Sequence, residues 1–280
     1  MSSPFKTLIL SGYGTNCEQE TAHACRLAGG GDGVEVAHMS RIYQEGLSLD
    51  PYHFIVFIGG FLDGDDLGSG RACANRFRYR PLPGGGTFLE DLWRYADSGR
   101  LMLGICNGFQ LLTKMGLLPG NGERPAGGPP AQTVSLAKNA NNRFEDRWVR
   151  LAVESHSPCV FTQGMTGLEL PVRHGEGRLA AQGEGVAALV RQGLVPLRYA
   201  NAQGAPTETY PHNPNGSPLG AAALCNKTGT VMGLMPHPEA FWDATNHPGW
   251  TRQPGTPGTG EGQGLALFKN GYRYLQSTFA

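Results

Sequence analysis

The sequence predicts an α/β fold: an open, twisted, mostly parallel sheet flanked by helices, with antiparallel additions in its second half. Three observations predict it. Short apolar runs alternate with helix-like segments through the first half, as in a doubly wound sheet. One run, Phe54-Ile-Val-Phe-Ile58, is apolar throughout, as expected for a parallel strand covered on both faces. Another ends at Cys106, between two glycines, and leads directly into a helical pattern.

The alternating elements lie in the first half of the chain. Strands are expected at 7–11, 34–39, 54–58 and 101–105, and helices at 17–28, at 88–98 and after Cys106. Gly29 and Gly99 follow the first two helices, and glycine is the usual residue just past a helix C-terminus.

The second half changes character. Strands are expected at 149–153, 170–174, 195–200, 220–225 and 231–235, joined mostly by turns, before a closing helix at 265–279. The Pro/Gly-rich tracts 119–130 and 248–264 are expected to be an insertion loop and a long surface loop. Because no repeat or convincing linker is present, residues 1–280 are expected to form one domain.

Composition excludes several classes of function. Lys+Arg and Asp+Glu both number 23, so net charge indicates neither a nucleic-acid nor a membrane partner. No run approaches the roughly 18 apolar residues of a membrane span, and the N-terminus resembles no secretory leader. The six cysteines form no C-x-x-C pair, so we expect no metal site, no disulfide framework and a reduced, cytoplasmic protein.

The run Gly104-Ile-Cys106-Asn-Gly108 is the cysteine form of a nucleophile elbow, a sharp strand-to-helix turn that exposes a reactive side chain. Glycines suit such a turn because a Cβ atom there would meet its neighbours. The positive end of the following helix favours the thiolate, which is the reactive form. The alternative is that Cys106 is a small apolar residue buried at the end of a core strand.

A thiolate nucleophile needs a base and a group that orients it. Met235-Pro-His237-Pro-Glu239 follows the last expected strand, and its prolines favour an extended chain. In an extended chain, alternate side chains point the same way, roughly 6.5–7 Å apart. Glu239 can therefore orient His237, although a surface turn is the alternative for this segment taken alone.

Acyl transfer also needs donors for an oxyanion. The backbone N–H of Asn107 is one candidate, because it follows the nucleophile. The turn at Gly59 and Gly60 is another, since it follows an apolar strand and so lies at the carboxyl edge of the sheet, where α/β sites are found. The alternative for Gly59 and Gly60 is an ordinary tight turn.

These motifs resemble the class I glutamine amidotransferases, through the segments Gly104-Ile-Cys106-Asn-Gly108-Phe-Gln110 and Pro236-His237-Pro-Glu239. Further segments, in the same order, are similar to the glutaminase portion of phosphoribosylformylglycinamidine synthase: Gly59-Gly-Phe-Leu-Asp-Gly-Asp65, Asn142-Arg-Phe144, His174-Gly-Glu-Gly177, Thr207-Glu-Thr-Tyr210 and Asn213-Pro-Asn-Gly-Ser217. The similarity runs from about Leu8 to the last helix.

The resemblance implies a flavodoxin-like amidotransferase fold and assigns the catalytic roles. Cys106 would attack the side-chain amide of L-glutamine, His237 would move the proton, and Glu239 would orient His237. The substrate-binding residues implied in the same way are Gly59, Gly60, Asn107 and Gln110.

The resemblance also implies a partner. Family members pass ammonia to a large ATP-dependent synthetase, which converts formylglycinamide ribonucleotide to the amidine in purine biosynthesis. This chain has no ATP-binding glycine loop, so no cofactor is expected in it, and ATP and Mg²⁺ are expected on the synthetase. A small third subunit is a further candidate partner. Ala240 replaces the arginine typical of the family, so any contact of that arginine is lost.

Three other hypotheses remain open from the sequence. The chain could be the glutaminase subunit of a different amidotransferase, or a non-catalytic scaffold subunit of the same fold. It could also be an α/β-type thiol hydrolase, which preference for glutamine over esters would exclude.

Overall fold

The computed structural model describes residues 4–122, 131–252 and 259–280. Its strands are β1 (Thr7–Ser11), β2 (Val34–His38), β3 (Phe54–Phe57), β4 (Leu101–Ile105), β5 (Val134–Lys138), β6 (Glu145–Val153), β7 (Gly167–His174), β8 (Glu176–Ala181), β9 (Leu197–Ala200), β10 (Ala223–Cys225) and β11 (Val231–Leu234). Its α-helices are α1 (Glu18–Cys25), α2 (Ser40–Gln44), α3 (Arg71–Tyr79), α4 (Phe88–Asp97), α5 (Asn107–Lys114), α6 (Gly185–Arg191) and α7 (Leu265–Phe279).

The central sheet has six strands in the order β10-β11-β4-β3-β1-β2. All neighbours are parallel except β10, which runs antiparallel to β11. Strands β1, β3 and β4 are buried along their whole lengths, which explains why their sequences are apolar without alternation. The prediction of a mostly parallel sheet with antiparallel additions in the second half is confirmed.

The antiparallel additions mostly form sheets of their own. Strands β5 and β8 pair with each other, and β7-β6-β9 form a three-stranded sheet. The sequence analysis did not predict the helices α2, α3 and α6 or the strands β5 and β8. The first predicted helix is observed in two parts, α1 to Cys25 and then a π-helical turn over Arg26–Gly30, in which Gly29 leaves helical geometry with a φ of +133°, as the predicted closing glycine should.

The two predicted loops are only partly described. Residues 123–130 and 253–258 lie outside the described ranges. Within the second tract, Trp250–Arg252 forms a short 3₁₀ turn, and Glu261 makes an isolated antiparallel bridge to Asp243.

Helices pack against the central sheet. α7 contacts α1, and its Tyr272 hydroxyl shares a buried 2.6 Å hydrogen bond with Thr7 of β1. α5 lies so close to β3 that a Cβ atom at Gly108 would be 2.0 Å from the Phe57 carbonyl oxygen. Within the described part of the chain, no helix has both the length and the apolar character needed to cross a membrane.

Three parallel strands place predicted site residues at one edge of the central sheet. Gly59 follows β3, Cys106 follows β4, and His237 lies just beyond β11. Because these strands are neighbours and parallel, their carboxyl ends meet at the same edge of the sheet, where α/β proteins bind their ligands.

Candidate active site

Cys106 occupies the bend between β4 and α5 in a backbone conformation that side-chain-bearing residues rarely adopt, with φ +51° and ψ −106°. Such a conformation costs about 1–3 kcal/mol and persists only where the surroundings enforce it. The Cys106 N–H donates to the Leu234 carbonyl at 2.8 Å. A Cβ atom at Gly104 would lie 2.8 Å from the Gly108 backbone, so both flanking glycines are needed for the bend.

Three side chains converge over Gly59. A Cβ atom at this glycine would lie 2.9 Å from His237 Cε1, 3.3 Å from Cys17 Sγ and 3.5 Å from Cys106 Cβ. The structure therefore brings Gly59, Cys106 and His237 together, as the sequence predicts. It also adds Cys17, which the sequence analysis did not select.

His237 and Glu239 form a buried pair. His237 Nδ1 and Glu239 Oε1 are 2.5 Å apart, and the side chains are only 3% and 0% exposed. Their segment is not extended throughout, because Pro238–Ala240 forms a 3₁₀ turn that brings the two side chains closer than a strand would. His237 Nε2, on the far side of the ring, has no hydrogen-bond partner among the described residues.

The environment of His237 favours its charged form. Burial alone lowers the pKa of the imidazole, but the Glu239 carboxylate and the nearby thiols of Cys106 and Cys17 outweigh it. The net effect holds the His237 pKa well above its usual value. A charged imidazole beside Cys106 is the electrostatic arrangement that activates a cysteine nucleophile.

The two candidate oxyanion donors are both available. Gly60 adopts a φ of +139°, and a Cβ atom there would lie 2.5 Å from Thr15 Cα, so only glycine fits. Among the described residues, the backbone N–H groups of Gly60 and Asn107 donate to no protein acceptor. Their role in holding an oxyanion stays a prediction.

The side chains of Asn107 and Gln110 are buried in one hydrogen-bond network. Asn107 Nδ2 donates to Gln110 Oε1 at 2.8 Å and to Asp65 Oδ1 at 3.1 Å. Gln110 Nε2 donates to the Glu176 carbonyl at 2.6 Å. The structure thus shows both residues supporting the elbow, and the direct contact of Gln110 with glutamine stays a prediction.

Residues 173–177 cover the site, and the sequence analysis assigned them no role in it. The Cys106 thiol donates to the Arg173 carbonyl at 3.6 Å, and the Glu176 carboxylate accepts a 2.9 Å hydrogen bond from the Ser69 hydroxyl. Cys106 is consequently only 5% exposed. The motif His174-Gly-Glu-Gly177 could have drawn attention to this segment, but its local sequence does not show that it lies over the end of β4.

A buried polar cluster fixes this covering segment. Asn139 Nδ2 donates to the carbonyls of His174 and Arg143, both at 2.8 Å, and Asn139 Oδ1 accepts the Gly177 N–H at 3.1 Å. Asn215 Nδ2 adds a 2.8 Å bond to the Gly177 carbonyl. Burial, together with the charge on nearby His237, lowers the pKa of His174 to about 3, so that this histidine stays neutral.

Together these groups can perform nucleophilic acyl transfer. The arrangement supplies a thiol on a strained turn, a buried imidazole oriented by a carboxylate, and two free N–H donors at the same sheet edge.

Comparisons with known proteins agree with this chemistry. Residues 4–275 match the family model of the CobB/CobQ-like glutamine amidotransferase domain. The chain is 39% identical over 277 residues to the phosphoribosylformylglycinamidine synthase subunit PurQ of Dehalococcoides mccartyi, covering 98% of this chain and 99% of that one. It is 41% identical over 239 residues to the PurQ subunit of Methanococcus maripaludis, covering 84% and 82% of the two chains.

A solved structure, that of PurLQS from Thermotoga maritima, contains a chain of the same fold. The two superpose with a TM-score of 0.68 at 25% sequence identity, covering 98% of this chain and 100% of that chain.

Proposed function

The chain belongs to the CobB/CobQ-like glutamine amidotransferases and, among them, to the PurQ glutaminase subunits of phosphoribosylformylglycinamidine synthase, and on this basis we propose how its residues act. Cys106 attacks the side-chain amide carbon of L-glutamine, and the N–H groups of Gly60 and Asn107 hold the resulting oxyanion. His237 gives its proton to the departing ammonia, which leaves a γ-glutamyl thioester on Cys106. Water then gives a proton to His237 as it attacks the thioester, and glutamate is released.

The observation that carries this mechanism is the convergence of Cys106 and His237 over Gly59, with Glu239 behind the imidazole at 2.5 Å. Because its pKa is raised, His237 holds the proton that ammonia needs when the C–N bond breaks. Glu239 keeps the ring oriented and stabilises its charge, as the carboxylate does in other catalytic triads.

We further propose that the ammonia is used by a larger ATP-dependent synthetase subunit, which converts formylglycinamide ribonucleotide to the amidine. The similarity to a chain in the PurLQS structure supports such a complex, with a small third subunit completing it. ATP and Mg²⁺ belong to the synthetase in this proposal. A cytoplasmic location is proposed from the cysteines at 17, 25, 73, 106, 159 and 225, all of which are free thiols.

Replacing the nucleophile separates the two half-reactions. In the complex with its synthetase, Cys106→Ala should abolish glutamine-dependent amidine formation and leave ammonia-dependent formation unchanged. Glu239→Gln should lower kcat of the glutaminase by about 10²- to 10⁴-fold, because the imidazole loses its carboxylate partner. Glutamate release and amidine formation, measured with glutamine or with ammonium salt, give both rates.

Cys73→Ala is the matched control, since Cys73 is equally buried but lies in α3 against Met39. It should retain parental glutaminase activity. An electrophilic glutamine analogue should modify Cys106 in the parent protein, as located by mass spectrometry. Parental glutamate release by Cys106→Ala would overturn the mechanism.

A further inference from the structure

A cleft away from the reaction centre, here called the basic cleft, is lined by positive charges. It lies between α3, the C-terminal end of α5 and β5, and its volume of about 440 Å³ falls within the roughly 300–1,000 Å³ of small-molecule sites. Its polar lining consists of three cations and three neutral side chains: Arg71, Arg78, Lys114, Asn75, Gln132 and Ser135. Among the described residues, neither a carboxylate nor an aromatic ring lines it. About 12 Å of helix separates Lys114, the last residue of α5, from Cys106, which precedes the first.

The fold brings these cations together from two helices. Arg71, Asn75 and Arg78 are spaced by four and then three positions in α3, so they share one face of that helix. Arg78 donates a 2.9 Å hydrogen bond to the Lys114 carbonyl, which joins α3 to the end of α5. The half-buried Lys114 side chain thus lines the same cleft, to which Ser135 of β5 adds a hydroxyl group.

Two of the three cations lack a counter-charge. In the part of the chain that the structure describes, neither the Lys114 ammonium nor the Arg71 guanidinium has a hydrogen-bond or ion-pair partner. Burial and the neighbouring Arg71 charge lower the pKa of Lys114, against the opposite effect of the more distant Glu176 and Asp65 carboxylates. Holding two like charges together in a half-buried cleft costs free energy, and a bound anion would offset that cost.

The neighbouring arginines of the same region differ in this respect. Arg76, on another side of α3, pairs with Asp63 at 2.8 Å. Arg80, just beyond the helix, lies 4.2 Å from the centre of the Tyr43 ring. The protein therefore supplies partners to these two arginines, whereas it supplies none of its described groups to Arg71.

We propose that the basic cleft binds the phosphate group of a small molecule, either inorganic phosphate or a sugar phosphate. Several positive charges match a phosphate dianion better than a single carboxylate, and guanidinium, ammonium and hydroxyl donors suit its oxygens. Because no aromatic ring of the described residues lines the cleft, nothing there can stack on a nucleobase, and recognition depends on charge. The proposal concerns residues outside the reaction centre and does not depend on the function proposed above.

Calorimetric titration of the full chain tests the binding. In about 0.15 M KCl, where distant charges are largely screened, the parent should bind one equivalent of inorganic phosphate or ribose 5-phosphate, and ribose should not bind. Arg71→Gln and Lys114→Met should each bind about ten-fold more weakly or worse, because a charge-assisted hydrogen bond is lost. Lys227→Gln is the matched control, since it removes one positive charge from the exposed turn between β10 and β11, and it should bind like the parent.

The two probes distinguish the sources of the phosphate group. Tighter binding of ribose 5-phosphate would identify a sugar phosphate as the ligand, and equal binding would identify inorganic phosphate. Absence of saturable binding of both by the parent would overturn the site. So would parental affinity in Arg71→Gln, a variant whose exposed position makes misfolding no explanation for its behaviour.

Lysine acetylation supplies a second measurement, which needs no variant. An acetylating ester reacts with the deprotonated amine, so the lowered pKa of Lys114 favours its modification. Inorganic phosphate at ten times its Kd should slow acetylation of Lys114 by about ten-fold, because only the unoccupied fraction reacts. Lys227 should react at the same rate with and without phosphate. Mass spectrometry of peptides gives both rates, and equal acetylation of Lys114 under the two conditions would contradict the proposal.

Discussion

Two segments surround the Cys106 side chain: the elbow at 104–108, which carries it, and the covering segment at 173–177, which contacts it. They are fixed in different ways. The elbow is fixed by the backbone: Gly104 and Gly108 permit contacts that any Cβ would block. The covering segment is fixed by side chains, through hydrogen bonds from Asn139 and Asn215 that span 35 to 38 positions. A turn that depends on glycines can be recognised from five consecutive residues. Hydrogen bonds between distant side chains and backbone groups can be recognised only once the fold is known.

The largest effect is expected where the elbow allows no adjustment. In Gly108→Ala the new Cβ would lie 2.0 Å from the Phe57 carbonyl oxygen, so α5 must move away from β3. We expect a loss of about 3 kcal/mol or more in the free energy of unfolding, because a backbone atom has no alternative rotamer. Urea unfolding measures it. Gly84→Ala is the control, because a Cβ atom there would have no neighbour within 4 Å, and it should have little effect. If Gly108→Ala destabilised the protein no more than Gly84→Ala, this account of the elbow would be contradicted.

A smaller loss is expected in the side-chain network. Asn139→Ala leaves the buried carbonyl of His174 and the buried Gly177 N–H without this partner, and also removes the bond to the Arg143 carbonyl. We expect the free energy of unfolding to fall by about 2 kcal/mol, the cost of buried unsatisfied groups after water partly enters. Asn75→Ala, on the exposed face of α3, should change it by less than about 0.5 kcal/mol. A cost at Asn139 as small as at Asn75 would show that the network does not hold the segment.

The effect of His174 is the smallest at neutral pH and grows as the pH falls. The pKa of His174 is lowered from 6.5 to about 3, so its contribution to stability is complete above pH 6.5 and is lost as the pH falls. Below that pH the unfolded chain takes up a proton that the folded chain does not, which costs up to about 1.4 kcal/mol per pH unit. Urea unfolding of His174→Gln should therefore show a shallower loss between pH 6.5 and pH 4, whereas the exposed His156→Gln should follow the parent. Parallel curves for His174→Gln and the parent would contradict the buried neutral state.

Much of the fold could be predicted because the central strands are apolar on both faces. β1, β4 and α7 begin and end at the residues that the sequence predicts. The strand β8 was missed because its residues, Glu-Gly-Arg-Leu-Ala-Ala, resemble a turn until β5 pairs with them. Helix α3 was missed because its arginines obscure the apolar positions, which are Cys73, Ala74 and Phe77.

The same contrast applies to the site. Cys106, His237 and Glu239 belong to local motifs, so the sequence alone selects them as candidates. Cys17 carries no such motif and reaches His237 only because the chain after β1 and the chain after β11 end at one edge of the sheet. The Arg173 carbonyl oxygen that accepts the hydrogen bond from the Cys106 thiol is a backbone atom. Every residue has such an acceptor, so the residue type does not indicate it.

The pairing of β4 with β11, which sets Gly104 beside Gly233, has a consequence for biosynthesis. β11 lies between β4 and β10 in the sheet. Its residues are synthesised well after Cys106, because they come much later in the sequence. Parallel pairing between distant segments forms slowly. On the ribosome, therefore, the Cys106 sulfur emerges well before the His237 imidazole, and under the proposed mechanism a newly made chain is inert towards glutamine until β11 docks.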